Sequence, residues 1–376
     1  MARKFGKKNV IKVDPLAYNI GFIGEGGIGK TTLAKEICER LAGEDSYIVF
    51  NIGKEDGIDA IADIMYEDVE DWDTLSEIAE DIIENKMTDY KELKVVIYDT
   101  YDELISIAEA EAIRLWNRAN PEKRTQSINA AWGGFGKGEK KAIELILDVI
   151  WRLKKVGVSM FVVGHTKRKT KTDIETTAEY EVLTTNVQQN YFNAIKDKLH
   201  LLAVASIDRE IVKVRTGKKD IKGKEIIKGE VSSEARKITF RDDNFNIESK
   251  SRFAEIVGTI EFSAEAFIAA MTNAIKAERD KSKTQSQVSS EDAAKAQEKE
   301  KEEEIRANVQ KEKDIRDAKS LEKNIKSIEG FIKHPASKTK MADQLKAVAL
   351  KLKDLGKKPK ELTLEETVQI IALIKG

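Results

Sequence analysis

The sequence predicts an α/β fold: a parallel sheet with crossover helices, extended by antiparallel strands and followed by a charged linker and a small C-terminal helical module. Three observations predict it. Short apolar runs alternate with helical patterns from Ile20 to Val163, the signature of strands paired in parallel through crossover helices. The first run ends in a glycine-rich turn that opens directly into a helix pattern. After Gly164 the text changes to turn-separated strands, and after Lys276 to a charged, core-poor stretch.

Taken in order, Ile20 to Ile23 is the first strand, Thr31 to Leu41 the first helix and Tyr47 to Ile52 the second strand. Thr74 and Glu77 are spaced as a capping box opening the next helix. Val95 to Tyr98 is a buried-type strand, followed by a helix from about Asp102 to Trp116. An irregular stretch, Asn117 to Gly138, precedes a helix from about Glu139 to Lys155 and the apolar strand Ser159 to Val163. Lys198 to Ser206, Glu210 to Thr216, Glu225 to Val231 and Lys237 to Phe240 read as antiparallel strands, with Gly217-Lys218 and Gly223-Lys224 as turns. A helix from about Ser263 to Lys276 closes a first domain, residues 1–276. Residues 277–319 hold too few apolar side chains for a core and form a linker or solvated helix. Residues 320–376 regain helical spacing, with Thr363 and Glu366 as a second capping box.

Composition narrows the function classes. The chain has 376 residues, 41% hydrophobic and 35% charged, with Lys+Arg 65 against Asp+Glu 66. Global charge therefore neither selects nor excludes a polyanionic partner, and only local patches can. Cys38 is the only cysteine, which excludes an internal disulfide framework and a cysteine-based zinc site. No apolar run follows the basic residues at the N-terminus, and no stretch suffices to span a bilayer. A cytoplasmic protein without membrane partners is the expectation.

Gly24-Glu25-Gly26-Gly27-Ile28-Gly29-Lys30-Thr31 matches G-x-x-x-x-G-K-[ST] at every position, between a strand and a helix. Glycines let backbone N–H groups curl round phosphates, and the helix N-terminus adds a favourable dipole. Lys30 is expected on the β- and γ-phosphates of ATP and the Thr31 hydroxyl on Mg²⁺, with Thr32 completing the nucleotide-binding run. Asp99, at the end of an apolar strand, is expected behind the metal, with Asp102 as the alternative acid. In the loop after the second strand, Glu55 or else Asp56 would orient the attacking water. His165, ending the strand beside that of Asp99, is placed to sense the γ-phosphate; a lone histidine is also commonly structural.

The phosphate run is similar to that of partitioning ATPases of the ParA and MinD type, but Glu25 replaces their signature lysine. The fuller pattern resembles RecA-like P-loop ATPases, specifically the phage-encoded single-strand annealing and recombination ATPases of the Sak group. The blocks are Gly24 to Thr32, Lys54-Glu55-Asp56-Gly57, Val95 to Thr100, Trp132-Gly133-Gly134-Phe135-Gly136-Lys137, Gly164-His165-Thr166-Lys167 and Lys250-Ser251-Arg252-Phe253, spanning about residues 17 to 255. The resemblance implies that Glu55 is the catalytic glutamate and that His165 links the nucleotide to a DNA-binding loop. It also implies that Lys250 and Arg252 enter a neighbour's ATP site as a K-x-R element. That role requires a homo-oligomer, a ring or a filament.

The resemblance turns two basic segments toward nucleic acid. The first, Asn117 to Lys141, carries Arg124 and Lys137 with Trp132 and Phe135 among glycines; the second groups Lys167, Arg168 and Lys169. Cations pair with phosphates and aromatics stack on unpaired bases, while a packed loop anchor would explain Trp132 equally. Single-stranded DNA is the expected partner, with a single-stranded-DNA-binding protein on the C-terminal module by analogy. A ring helicase or branch-migration motor, and a nucleotide-switched adaptor, are the alternative functions.

Overall fold

The computed structural model describes residues 11–53, 56–172, 179–219, 225–241, 248–283, 290–334 and 341–375. It contains two compact units, Met1–Glu302 and Glu303–Gly376.

The first unit is built on one twisted sheet. Its strands are β1 (Ile20–Gly24), β2 (Tyr47–Ile52), β3 (Tyr66–Val69), β4 (Val95–Asp99), β5 (Ser159–Thr172), β7 (Leu201–Lys219), β8 (Glu225–Thr239) and β10 (Thr259–Glu261), in the order β10-β8-β7-β1-β5-β4-β2-β3. All pairs from β7 to β3 are parallel. At the other edge β8 pairs antiparallel with β7, and β10 with β8. The sheet is thus the expected α/β arrangement, parallel at its centre and extended by antiparallel strands. The β5 strand separates β1 from β4, so the ends of β1, β4 and β5 meet at one place on the sheet's carboxyl edge.

Alternation along the strands explains the layers. Ile20 and Phe22 of β1, Phe161 and Val163 of β5, and Leu201, Ala203 and Ala205 of β7 fall on one face. They join Leu33 and Ile37 of α1 (Lys30–Ala42) and Phe267 and Met271 of α6 (Ala264–Lys283) in a continuous core. Each fully buried Phe or Leu there contributes about 1.5–3 kcal/mol relative to exposure. Its other α-helices before Ser290 are α2 (Trp72–Glu84), α3 (Tyr101–Ala119), α4 (Lys137–Lys155) and α5 (Gln189–Lys196).

Several local readings are corrected. The α2 cap is Asp71, whose carboxylate accepts from the Thr74 N–H at 2.9 Å, so the helix starts a turn before the Thr74–Glu77 pair. The β5 strand does not stop at Val163. It continues through the basic run and pairs antiparallel with β6 (Glu179–Thr185). The four antiparallel segments expected after Lys198 are two long strands: β7 runs through Gly217, and β8 from Glu225 to Thr239. Gly223 lies outside the described residues. A strand ladder satisfies the backbone of a polar hairpin as well as that of an apolar one, so the apolar run marked only the first half of β5, while in β7 and β8 both halves were marked and only their continuity was not.

From Ser290 the chain is one helix, α7 (Ser290–Lys333), followed by α8 (Ala342–Leu355) and α9 (Leu364–Lys375). In the second unit Ile328, Val348, Leu362 and Ile370 form a separate small core. The Thr363–Glu366 capping box is present: the Thr363 N–H donates to Glu366 at 2.7 Å and the Glu366 N–H to the Thr363 hydroxyl at 3.3 Å. No described helix is long and apolar enough to cross a membrane.

Candidate functional site

The site grows from the end of β1. Gly24 is in register with His165 of β5 on one side and with Ala205 of β7 on the other. A Cβ at Gly24 would lie 2.8 Å from both the Ala205 Cβ and its carbonyl oxygen, so only glycine lets the strands close there. Gly29, at φ 98°, is the N-cap of α1, a conformation that disfavours any other residue. A Cβ built at Gly26 or Gly27 would meet nothing within 4 Å. The loop therefore encloses open space above a helix N-terminus, the geometry that binds phosphate.

Lys30 is buried, and its ammonium donates to the carbonyl oxygens of Gly24 at 3.3 Å and Glu25 at 3.0 Å. The Thr31 hydroxyl donates to Asp99 Oδ2 at 2.5 Å. Strand order carries Asp99 to the loop across β5, and the Thr31–Asp99 pair fixes both oxygens on the same spot. Among the described residues no cluster of three or more acidic, histidine or cysteine side chains could cage a metal. Thr31 and Asp99 suit Mg²⁺, which takes phosphate oxygens and waters for most of its shell.

Asp102, on the first turn of α3, supports His165. It accepts from the His165 backbone N–H at 3.3 Å, faces His165 Nδ1 at 3.5 Å and accepts from Asn186 Nδ2 at 3.3 Å. Burial alone would push its carboxyl up, but the His165 contacts and Asn186 outweigh it and hold the carboxyl below its usual value. Asp99 thus takes the position behind Thr31, while Asp102 orients His165. Thr100 follows β4, while Thr166 and Ser206 are the residues of β5 and β7 next after those in register with Gly24, and each hydroxyl is buried without a hydrogen-bond partner among the described residues. Orphaned buried hydroxyls are costly; their gathering at one sheet edge fits a site completed by a polar ligand.

Glu55 lies outside the described residues, and Asp56 opens the short 3-10 turn Asp56–Ala60. Sequence reading missed Glu103. Its side chain lies across the end of β2, where a Cβ at Gly53 would sit 2.8 Å from Glu103 Cγ. Its only sequence signal is its place four residues after Asp99.

Lys250 and Arg252 are not brought to this site. Lys250 lies in β9 (Lys250–Ser251), which pairs with β7 at Leu201 and Leu202, while Ala205 is the β7 residue beside the phosphate loop. Lys250 faces Leu202, and the three strand residues from there to Ala205 correspond to about 10 Å. Lys250 Nζ donates to the Lys196 carbonyl at 2.6 Å, and Arg252 donates to those of Asp197 at 3.0 Å and Leu199 at 3.3 Å.

The basic segments resolve into engaged and open residues. Trp132 anchors its loop. Its indole N–H donates to the Ala112 carbonyl at 3.0 Å, its ring lies 6.0 Å from that of Trp116, and the Lys141 ammonium covers it. Phe135 is instead the fully exposed aromatic of that loop, at φ 53°. Arg168 bonds Glu25 at 3.0 Å and Glu181 at 3.4 Å, and Lys167 donates to the Asn186 carbonyl at 3.3 Å. Arg124, Lys137 and Lys169 have no polar side-chain partner among the described residues.

A glycine loop on a helix N-terminus, a buried lysine and a hydrogen-bonded Thr–Asp pair, at the carboxyl edge of a parallel sheet, define a P-loop ATPase domain. The family model described as AAA domain matches residues 17–245, more than half the chain, and the chain belongs to that family. No curated protein matches it. Among solved structures, it is similar to the crystal structure of the flagellar accessory protein FlaH from Methanocaldococcus jannaschii. That similarity has 8% identity and a TM-score of 0.30, covering 66% of this chain and 85% of that one.

Proposed function

We propose that this chain is an oligomeric ATPase of the phage RecA-like Sak group that binds single-stranded DNA and promotes strand annealing or exchange, acting in the host cytoplasm. The observation that carries the reading is the continuity of β5: it runs without a break from His165, in register with Gly24, into Lys167, Arg168 and Lys169. A strand shared by a phosphate site and a basic hairpin is a rigid connection between nucleotide and polyanion. Phe135, Lys137 and Arg124 supply a second segment, with a ring for stacking and cations for phosphates.

In this reading Lys30 neutralises the β- and γ-phosphates, while Thr31 and Asp99 hold Mg²⁺, which supplies charge neutralisation there. Glu55, or Asp56 beside it, takes the proton of the water whose oxygen attacks the γ-phosphorus as the bond to the β-phosphate oxygen breaks. His165, held by Asp102 and Asn186, reports the state of the γ-phosphate to the hairpin. Lys250 and Arg252, too far from their own chain's loop, act on a neighbour's site. The second unit, with its own core, is a docking module for a single-stranded-DNA-binding protein.

The test is the ATPase rate with and without single-stranded DNA, at low and moderate salt, over a range of protein concentrations. Stimulation that grows with protein concentration supports the reading. A DNA-independent rate sinks it in favour of a nucleotide-switched adaptor. ATP-driven duplex unwinding would point to a ring helicase or branch-migration motor.

A further inference from the structure

The phosphate loop carries a carboxylate of its own. Glu25 directly follows Gly24, and its side chain is only 21% exposed. A triphosphate entering the loop brings several negative charges close to it, and like charges at short range in a partly buried site repel strongly. Something must neutralise Glu25, and the structure places Arg168 on it at 3.0 Å. The other arm of the same guanidinium reaches Glu181 of β6 at 3.4 Å. One residue therefore bridges the phosphate loop, β5 and β6.

We infer that Glu25 and Arg168 form a latch that sets triphosphate affinity and ties it to the β5–β6 hairpin. With Arg168 on Glu25, the loop presents its N–H groups and Lys30 to the phosphates without an opposing charge. An anion that draws Arg168 away, such as a backbone phosphate of a nucleic acid, re-exposes Glu25 and lowers nucleotide affinity. By linkage, bound triphosphate holds Arg168 back from that anion to the same degree. Arg168 is thus a positioning residue for the nucleotide rather than a simple DNA contact. The inference rests on the nucleotide reading of the loop.

The test is an equilibrium titration of the full chain with a fluorescent, non-hydrolysable ATP analogue and Mg²⁺. It uses the unaltered protein, E25Q, R168Q and the double variant, each shown folded by circular dichroism. R168Q is expected to weaken binding about tenfold at low salt, and less at higher salt because the pair is half exposed. E25Q should bind at least as tightly as the unaltered protein, and the double variant within about twofold of E25Q. Hydrogen exchange across residues 166–172 and 179–185 should change on analogue binding in the unaltered protein but not in R168Q. Unchanged affinity in R168Q, or a double variant as weak as R168Q, overturns the latch. Failure of the unaltered protein to bind the analogue overturns the nucleotide reading, and the latch with it.

Discussion

The two ends of the parallel sheet both gather cations and employ them in opposite ways. At the carboxyl end Lys30 stands at the N-terminus of α1, its ammonium on the carbonyls of Gly24 and Glu25 beside glycines that face open space. At the amino end Lys250 and Arg252 close on the carbonyls of Lys196, Asp197 and Leu199, at and beyond the C-terminus of α5. Lys154 there donates to the Ala17 carbonyl and the Ser159 hydroxyl. Helix N-termini attract anions and helix C-termini attract cations. Both sets hold backbone carbonyls, but the first stands where a helix end favours an anion and the second where a helix end favours the cation itself. The difference lies in which helix end each cation faces, and a charge count cannot show it.

Substitutions can break or sharpen this contrast. The largest effect is expected from Lys30→Ala, which should reduce nucleotide turnover by about 1,000-fold or more with an unchanged melting curve; near-normal turnover would remove Lys30 from the phosphates. Arg252→Ala decides whether the amino-end cations also serve a neighbour. As a trans-acting finger, its loss should cost about 1,000-fold in turnover with ATP binding intact. If it serves only as a carbonyl cap, the melting temperature falls and turnover per folded molecule holds. Asp99→Asn should cost about 100-fold in turnover and weaken the Mg²⁺ dependence of binding, read from metal titrations.

Smaller effects probe the periphery. Phe135→Ala should weaken single-stranded DNA binding by about fivefold to tenfold without altering ATP affinity, measured by fluorescence anisotropy. His200 tests the amino end by pH. Burial, then the nearby Lys154, Arg252 and Lys250, pushes its pKa down to about 4, and its Nδ1 accepts the Asn19 N–H at 3.1 Å. The folded form therefore resists a proton that the unfolded chain takes up near its ordinary value of about 6.5. Stability is full above about pH 6.5 and falls as pH drops toward 4, by about 1 kcal/mol after discounting for solvent screening of a half-exposed ring. His200→Gln should flatten that part of the pH–stability curve, and an unchanged slope would count against the assignment.

How legible each part was follows from how local its cause is. The phosphate loop, Thr31 and the strand ending at Asp99 could be read because each constraint lies within a few residues. Thr363 and Glu366 were legible for the same reason. Thr74 and Glu77 showed the same spacing, yet Asp71 caps α2, with the Thr74 N–H and hydroxyl both donating to its carboxylate. The β5 strand was only half visible, since its second half is polar and is held by pairing with β6, and β7 and β8 each read as two strands because no local pattern showed that they continue. Trp132 and Phe135 could not be told apart for a related reason. Both are aromatic residues among glycines, and only the positions of Ala112, Trp116 and Lys141 decide which ring packs and which stands out.

By itself the sequence determined that a strand, a glycine loop and a helix N-terminus would meet at Gly24 to Thr32, because backbone conformation and a helix dipole act over a few residues. It also determined that an acid would stand at the end of β4. Only the tertiary structure decided that β5 lies between β1 and β4, that Asp102 supports His165, that Arg168 rests on Glu25, and that Lys250 and Arg252 lie at the far end of the sheet. Those pairings join residues up to 143 positions apart, and strand order, which no local pattern encodes, sets which of them meet.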